Sequence, residues 1–295
     1  MSDLKKEYSK FISQQETTNE RFYDSPRQLD KFYMPLSEKI FKLHKLKNRT
    51  LILGLSGGQG SGKSTISQIL KIILTSKFNL NVTCLSIDDF YKTAIERKKM
   101  SKLVHPLFLT RGVPGTHDCR MLLDKIKKLL KKKFKSTKIP KFDKSTDDRL
   151  KVKYWQKINK KPDILIFEGW CVGAEPQHFK ELKTPINLLE KIEDTKLTWR
   201  KKVNNELKTS YKKIYSLIDK QIYLKVPSFK YVLKWRLLQE KKLRLKSKKK
   251  AMTNNQIKRF IMFYERVTKK MAKDHKNNDA VVMIDKSHKI KSIRF

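Results

Sequence analysis

The chain has 295 residues, 70 Lys and Arg against 29 Asp and Glu, a formal net charge of +41 and 38% hydrophobic residues. That length implies one or two domains with enough chain for a sizeable core, and recurring apolar clusters with 10% aromatic residues exclude wholesale disorder. No apolar run approaches the roughly 18 residues of a membrane span, Met1–Gln15 lacks a signal-peptide apolar core, and Cys84, Cys119 and Cys171 are too few and too widely spaced for a disulfide framework or a C-x-x-C pair.

These features predict a soluble, cytoplasmic protein in a reducing compartment, with no membrane partner. The charge invites a nucleic-acid reading, because basic surfaces bind polyanions by counterion release. However, 57 of the cations are Lys and 13 are Arg, whereas geometric recognition of phosphate favours the guanidinium fork. The expectation is a solvated, Lys-biased surface with no specific nucleic-acid partner. Oligomeric state is not legible.

Residues 1–48 carry no strand signal. Pro35, Leu36, Ile40, Phe41, Leu43 and Leu46 are at helical spacing, so this segment reads as a helical extension packed on a main domain of residues 49–295. Thr50–Ser56 is an apolar run of strand length. A glycine cluster follows, and then Ser64–Leu74, where Ile66, Ile69, Leu70, Ile73 and Leu74 form a helical stripe.

Buried-strand runs return at Asn81–Ile87, Asp163–Phe167, Gln221–Val226 and Ala280–Ile284, separated by helical patterns. Such alternation predicts a three-layer α/β sandwich, with a five-stranded, mostly parallel sheet and helices on both faces. Lys125–Lys138, at the end of a helix beginning near Asp118, and a long amphipathic stretch over Leu188–Ser216 read as surface elements on this core.

Gly57–Ser64 reads G-G-Q-G-S-G-K-S and satisfies G-x-x-x-x-G-K-[ST] between strand and helix. Gly57, Gly58, Gln59, Gly60, Ser61, Gly62, Lys63, Ser64 and Thr65 are therefore the candidate nucleotide-binding residues. The loop's backbone N–H groups would cradle phosphates at a helix N-terminus. Lys63 would reach the β and γ phosphates, and Ser64 would ligate Mg²⁺. ATP or GTP with Mg²⁺ is implied.

The second strand ends in S-I-D-D-F-Y, Ser86–Tyr91, where carboxylates face the same crevice as the phosphate loop. An Asp there can take a proton from an attacking hydroxyl; the competing reading is an Asp pair capping the next helix. The third strand ends in Phe167-Glu168-Gly169-Trp170, with Glu168 placed to hold Mg²⁺ directly or through water. Between them, Arg111–Asp118 (R-G-V-P-G-T-H-D) is a rigid loop offering Arg111 and His117 to a substrate, with Asp118 as a possible helix cap. Phe142–Arg149 (F-D-K-S-T-D-D-R) can supply Asp143 and Arg149.

Together these motifs resemble the D-glycerate 3-kinase family, within the uridine kinase and phosphoribulokinase group of P-loop kinases. The resemblance runs from about Thr50 to Gly173 and from Asp219 to about Lys270. It implies transfer of the ATP γ-phosphoryl group to the 3-hydroxyl of D-glycerate, with Asp88 as catalytic base, Lys63 as catalytic cation, Tyr91 beside the substrate, and Asp89 as a neighbour serving either substrate or metal. Residues 227–250 resemble the family's helix and lid, with Arg236 and Arg244 the cations that would neutralise the transferring group. Phe260–Val267 reads as helix core outside the chemistry. The alternatives are a uridine or other sugar-like acceptor and, from a different class, an RNA-associated P-loop NTPase.

Overall fold

The computed structural model describes residues 2–16, 24–246 and 252–295, without the side chains of Ser2, Gln239 and residues 242–246. In chain order, helices α1 (Ser2–Gln15) and α2 (Met34–Lys45) precede strand β1 (Leu51–Gly57), and α3 (Lys63–Phe78) leads to β2 (Val82–Ser86). Next come α4 (Ala94–Leu103), α5 (Cys119–Leu130), β3 (Ile164–Gly169), α6 (Thr198–Glu206) and β4 (Lys220–Lys225). Helices α7 (Phe229–Lys246) and α8 (Asn254–Lys273) precede the last strands, β5 (Ala280–Ile284) and β6 (Ile290–Arg294).

The strands form one sheet in the order β6-β5-β4-β1-β3-β2, parallel except for β6. Alternate residues of each central strand enter opposite layers, the period of two that a doubly covered sheet requires. Leu51, Leu53, Leu55, Ile164, Ile166, Ile222 and Leu224 pack beneath α1, α2 and α3. Ile52, Leu165, Phe167 and Tyr223 face α5 and α6. Helix α8 closes one side, giving Ile257 and Ile261 to the first layer and Phe263, Tyr264 and Val267 to the second.

Three expectations need correction. The sheet has six strands, not five: I-K-S-I-R is too polar to read as a strand, yet Gln28 clamps its Ile290 through both backbone groups at 2.9 and 3.2 Å. Leu188–Ser216, expected as one long amphipathic surface stretch, is interrupted, because Asp194 accepts hydrogen bonds from Trp199 N and Arg200 N (2.8 and 3.1 Å) and so starts α6 afresh. Its apolar stripe is nevertheless buried at Trp199, Val203, Leu207, Tyr211 and Ile214. Finally, the segment expected as a lid begins as core, with Val232 and Trp235 of α7 buried.

Candidate active site

The parallel register brings the C-terminal ends of β1, β3 and β2 side by side, pairing Ser56 with Gly169 and Ser86 with Glu168. The phosphate loop, Glu168 and the Asp88–Asp89 turn thus share one edge of the sheet. β1 runs into the glycine loop, and α3 starts at Lys63. Gly60 has φ +76°, and a Cβ there would lie 2.9 Å from the Cβ of Trp235, so the loop can curl against α7 only with glycine at this position.

Lys63 Nζ donates to Gly57 O at 2.9 Å and Gly58 O at 3.0 Å, and burial lowers its pKa. The Ser61 hydroxyl and the Gln59 side-chain oxygen are buried without a hydrogen-bond partner among the described residues, and loop N–H groups with a helix N-terminus suit an anion. Thr65 follows on the first turn of α3. Ser64 Oγ donates to Glu168 Oε1 at 3.0 Å. Burial raises the Glu168 pKa against the pull of Lys63. A hydroxyl beside a carboxylate is the hard-oxygen donor set that Mg²⁺ takes, so these residues fit the ion.

The Asp pair does not cap the next helix. Thr93 caps α4, in a capping box with Glu96. Asp88 Oδ1 accepts from the Tyr91 hydroxyl at 2.9 Å, and Oδ2 accepts from Lys144 Nζ at 2.7 Å. Burial would raise the Asp88 pKa, but the charge and hydrogen bond of Lys144 outweigh it and hold the carboxyl well below the usual range. Asp89 points elsewhere, to Lys141 Nζ (3.0 Å) and Phe142 N (3.3 Å), and pins the base of the hairpin formed by residues 142–149.

The other expected substrate groups are already engaged. Arg111 is ion-paired with Asp147, which also accepts from the buried Arg97 at 2.9 Å. His117 is buried rather than open to an anion; it stacks on Tyr91 at 4.5 Å, and Nδ1 meets the Tyr211 hydroxyl at 2.5 Å. Burial pushes its pKa down to about 3 despite Asp88, so the ring is neutral. Asp143 holds its own turn through Ser145 N (2.8 Å) and Ser145 Oγ (2.6 Å). Arg149 donates to Tyr91 O at 2.8 Å and lies 3.5 Å from Asp118, which caps α5 by accepting from Met121 N.

Arg236 is paired within its helix to Glu240 at 2.7 Å. The side chain of Arg244 lies outside the described residues.

Several contributors were not singled out as site residues in the sequence. Lys144 was hidden among 57 lysines, although it stands inside F-D-K-S. Tyr264 donates to Arg111 O at 3.1 Å, so the Phe260–Val267 stretch, expected only as core, also holds the R-G-V-P-G-T-H-D loop. Gly112 (φ +131°) has no room for a side chain against the Tyr264 ring. Tyr211 positions His117. His288, on the β5–β6 turn, places Nε2 2.9 Å from Gly60 O and its ring 3.9 Å from that of Trp235.

Fold and loop together define a nucleotide-phosphate-binding α/β protein of the P-loop class. The model of the phosphoribulokinase / uridine kinase family matches residues 52–232. The uncharacterized kinase mug58 of Schizosaccharomyces pombe is 36% identical over 232 residues, 76% of this chain and 81% of that protein. The chloroplastic D-glycerate 3-kinase of Arabidopsis thaliana is 28% identical over 223 residues, 72% of this chain and 46% of that longer protein. Among solved structures, a D-glycerate 3-kinase from Cryptococcus neoformans superposes with a TM-score of 0.73 at 23% identity, covering 91% of this chain and 98% of its own.

The chain belongs to the phosphoribulokinase / uridine kinase family. It is a P-loop kinase, an ATP-using phosphotransferase with an alcohol group as acceptor. Among the described residues no helix is long and apolar enough to cross a membrane, and the three cysteines are free thiols.

Proposed function

We propose that the chain phosphorylates D-glycerate at its 3-hydroxyl, yielding 3-phosphoglycerate, and acts as a cytoplasmic enzyme on this small-molecule substrate without a specific nucleic-acid partner. The observation that carries the reading is the charge on the acceptor side of the crevice. Arg111, at Asp147, and Lys144, at Asp88, put a pair of solvent-accessible cations beside the base for the carboxylate of a small acid. A neutral nucleoside has no use for it.

In this reading, residues 57–65 bind ATP, and Lys63 turns from its loop carbonyls toward the β and γ phosphates. Ser64 and Glu168 would hold Mg²⁺, which would supply charge neutralisation at the phosphates. Asp88 takes the hydroxyl proton as the acceptor oxygen bonds to Pγ and the Pγ–O bond to ADP breaks. Tyr91 orients that carboxylate. The described helices of residues 1–48 serve as an extension on the core, and the lid expected over residues 227–250 rests on α7 with Arg236, since residues 247–250 and the side chain of Arg244 lie outside the described residues.

The test is coupled ADP release with purified protein, ATP and Mg²⁺ across D-glycerate, other small hydroxy acids and uridine, with the product identified by phosphorus NMR. Turnover of D-glycerate to 3-phosphoglycerate is expected. Turnover of uridine without glycerate overturns the substrate. Specific RNA binding that persists at high salt, with no small-molecule turnover, would favour the RNA-associated alternative.

A further inference from the structure

We propose that Lys144 senses the acceptor: it masks Asp88 until the acceptor's carboxylate draws it away, so that the base is exposed only when an acid is bound. This rests on the proposed function, in which the acceptor is an anionic hydroxy acid.

The 142–149 hairpin is held by groups other than Lys144. Asp89 takes Lys141 and Phe142 N, Asp148 takes Ala94 N at 3.2 Å, Arg97 donates to Asp147 O at 2.6 Å, and Arg149 reaches Tyr91 O. Among the described residues of this turn, Lys144 alone crosses to Asp88, and its side chain is 62% exposed while that of Asp88 is 28% exposed. It is therefore not needed to anchor the hairpin, and its flexible stem can exchange one carboxylate for another without moving the backbone.

Two features assign it to the acceptor rather than to ATP. The phosphate loop has its own cation, Lys63. On the acceptor side, Arg111 and Arg97 share the single carboxylate of Asp147, so a second carboxylate brought there by substrate meets Lys144 and Arg111 together.

The consequence is control over water. With Lys144 on Oδ2 and Tyr91 on Oδ1, each Asp88 oxygen already accepts a hydrogen bond and the ammonium weakens the carboxylate as a base, so a water near Pγ meets a poor proton acceptor. When an acid binds, Lys144 pairs with its carboxylate and Oδ2 becomes free to accept the hydroxyl proton. The acceptor oxygen then forms the bond to Pγ, and ADP leaves with the electrons of the broken Pγ–O bond.

The experiment compares the full-length wild type with Lys144→Met and Lys144→Arg, using D-glycerate, glycerol and no acceptor. Lys144→Met is expected to raise the KM for glycerate roughly tenfold or more, with kcat at saturation changed by less than about threefold. Its ADP release without acceptor should rise, and its turnover of the uncharged glycerol should not fall. Lys144→Arg should restore both the low KM and the low idle hydrolysis.

An unchanged glycerate KM in Lys144→Met overturns the proposal. So does an equal loss on glycerol, the mark of a merely structural role, or idle hydrolysis no higher than wild type. If the wild type uses another hydroxy acid and not glycerate, the substrate assignment falls, and the same measurements on that acid decide the role of Lys144. A neutral nucleoside as sole acceptor overturns both.

Discussion

Replacing Asp88 by Asn tests the chemistry with little disturbance of the fold. The amide keeps an oxygen acceptor for one of the two donors, Tyr91 at 2.9 Å or Lys144 at 2.7 Å, and loses the charge. Lys144 is mostly exposed, so water solvates it when its partner is neutralised, and the stability cost should stay below about 1 kcal/mol. The effect on rate is larger. Removing a general base costs about 10² to 10⁴ in turnover, and a loose phosphoryl-transfer transition state asks for little early proton removal, which favours the lower end. Asp88→Asn should therefore lower kcat about 10²-fold, close to 2.7 kcal/mol in activation free energy, with the KM for ATP within about threefold of wild type. Coupled ADP release at saturating acceptor, with a thermal melt of the same preparation, measures both. A kcat within about threefold of wild type would remove Asp88 from the role of base. A retained kcat with a much higher KM for ATP would make it a nucleotide ligand instead.

Three further outcomes follow from the packing. Gly60→Ala forces a Cβ to 2.9 Å from Trp235 at φ +76°, so it should destabilise the protein by about 1–3 kcal/mol and weaken ATP binding in calorimetry; unchanged melting and affinity would contradict the clash. Glu190 is fully buried and bridges Arg200 (3.2 Å) and Arg266 (2.6 Å), so Glu190→Gln leaves the buried Arg266 without its carboxylate, and Arg200 with Asp194 alone (3.1 Å), and should cost about 3 kcal/mol in urea unfolding; a change under about 1 kcal/mol would refute that. His117 is held neutral down to about pH 3, whereas in the unfolded chain it protonates near pH 6.5. Below about 6.5 the unfolded state therefore binds the extra proton, and stability falls as pH falls toward 3, by at most about 1.4 kcal/mol per unit. His117→Gln removes this contribution, so its stability should fall less steeply than wild type between pH 6.5 and 4; parallel slopes would contradict a buried neutral ring.

How far the sequence could be read depended on the range of the interaction. The phosphate loop was legible because strand, glycine turn and helix are consecutive, and the parallel core strands were legible because a strand covered on both faces must be apolar throughout. The edge strand β6 was not, since one side of it is solvated and its pairing is secured by Gln28, more than 260 residues away. Nor was the break at Asp194, where one carboxylate takes two backbone N–H groups and outweighs a continuous apolar stripe. The acceptor side was least legible, because its geometry is built by the 142–149 hairpin folding back over Asp88 and Asp89, and no local pattern announces that meeting.

In a chain with 70 cations and 29 carboxylates, the minority sign carries the positional information. Arg111, Arg149 and Arg236 each looked like a free cation for a substrate, and each is tied to a carboxylate, respectively Asp147, Asp118 and Glu240. The acidic residues around the crevice have separate roles. Asp89 and Asp148 hold the hairpin, Asp147 gathers two guanidinium groups, Glu168 meets Ser64, and Asp88 meets Lys144. A cation added at random to such a surface changes little, because solvent and neighbouring lysines already set the potential. A carboxylate removed from the crevice leaves a specific cation without its place. Neutralising Asp88, Asp147 or Glu168 should therefore each alter a different kinetic parameter, whereas neutralising single exposed lysines of the Lys125–Lys138 stretch should alter none. Equal sensitivity of turnover to both kinds of change would mean that the overall field, and not the placement of a few acids, organises the site.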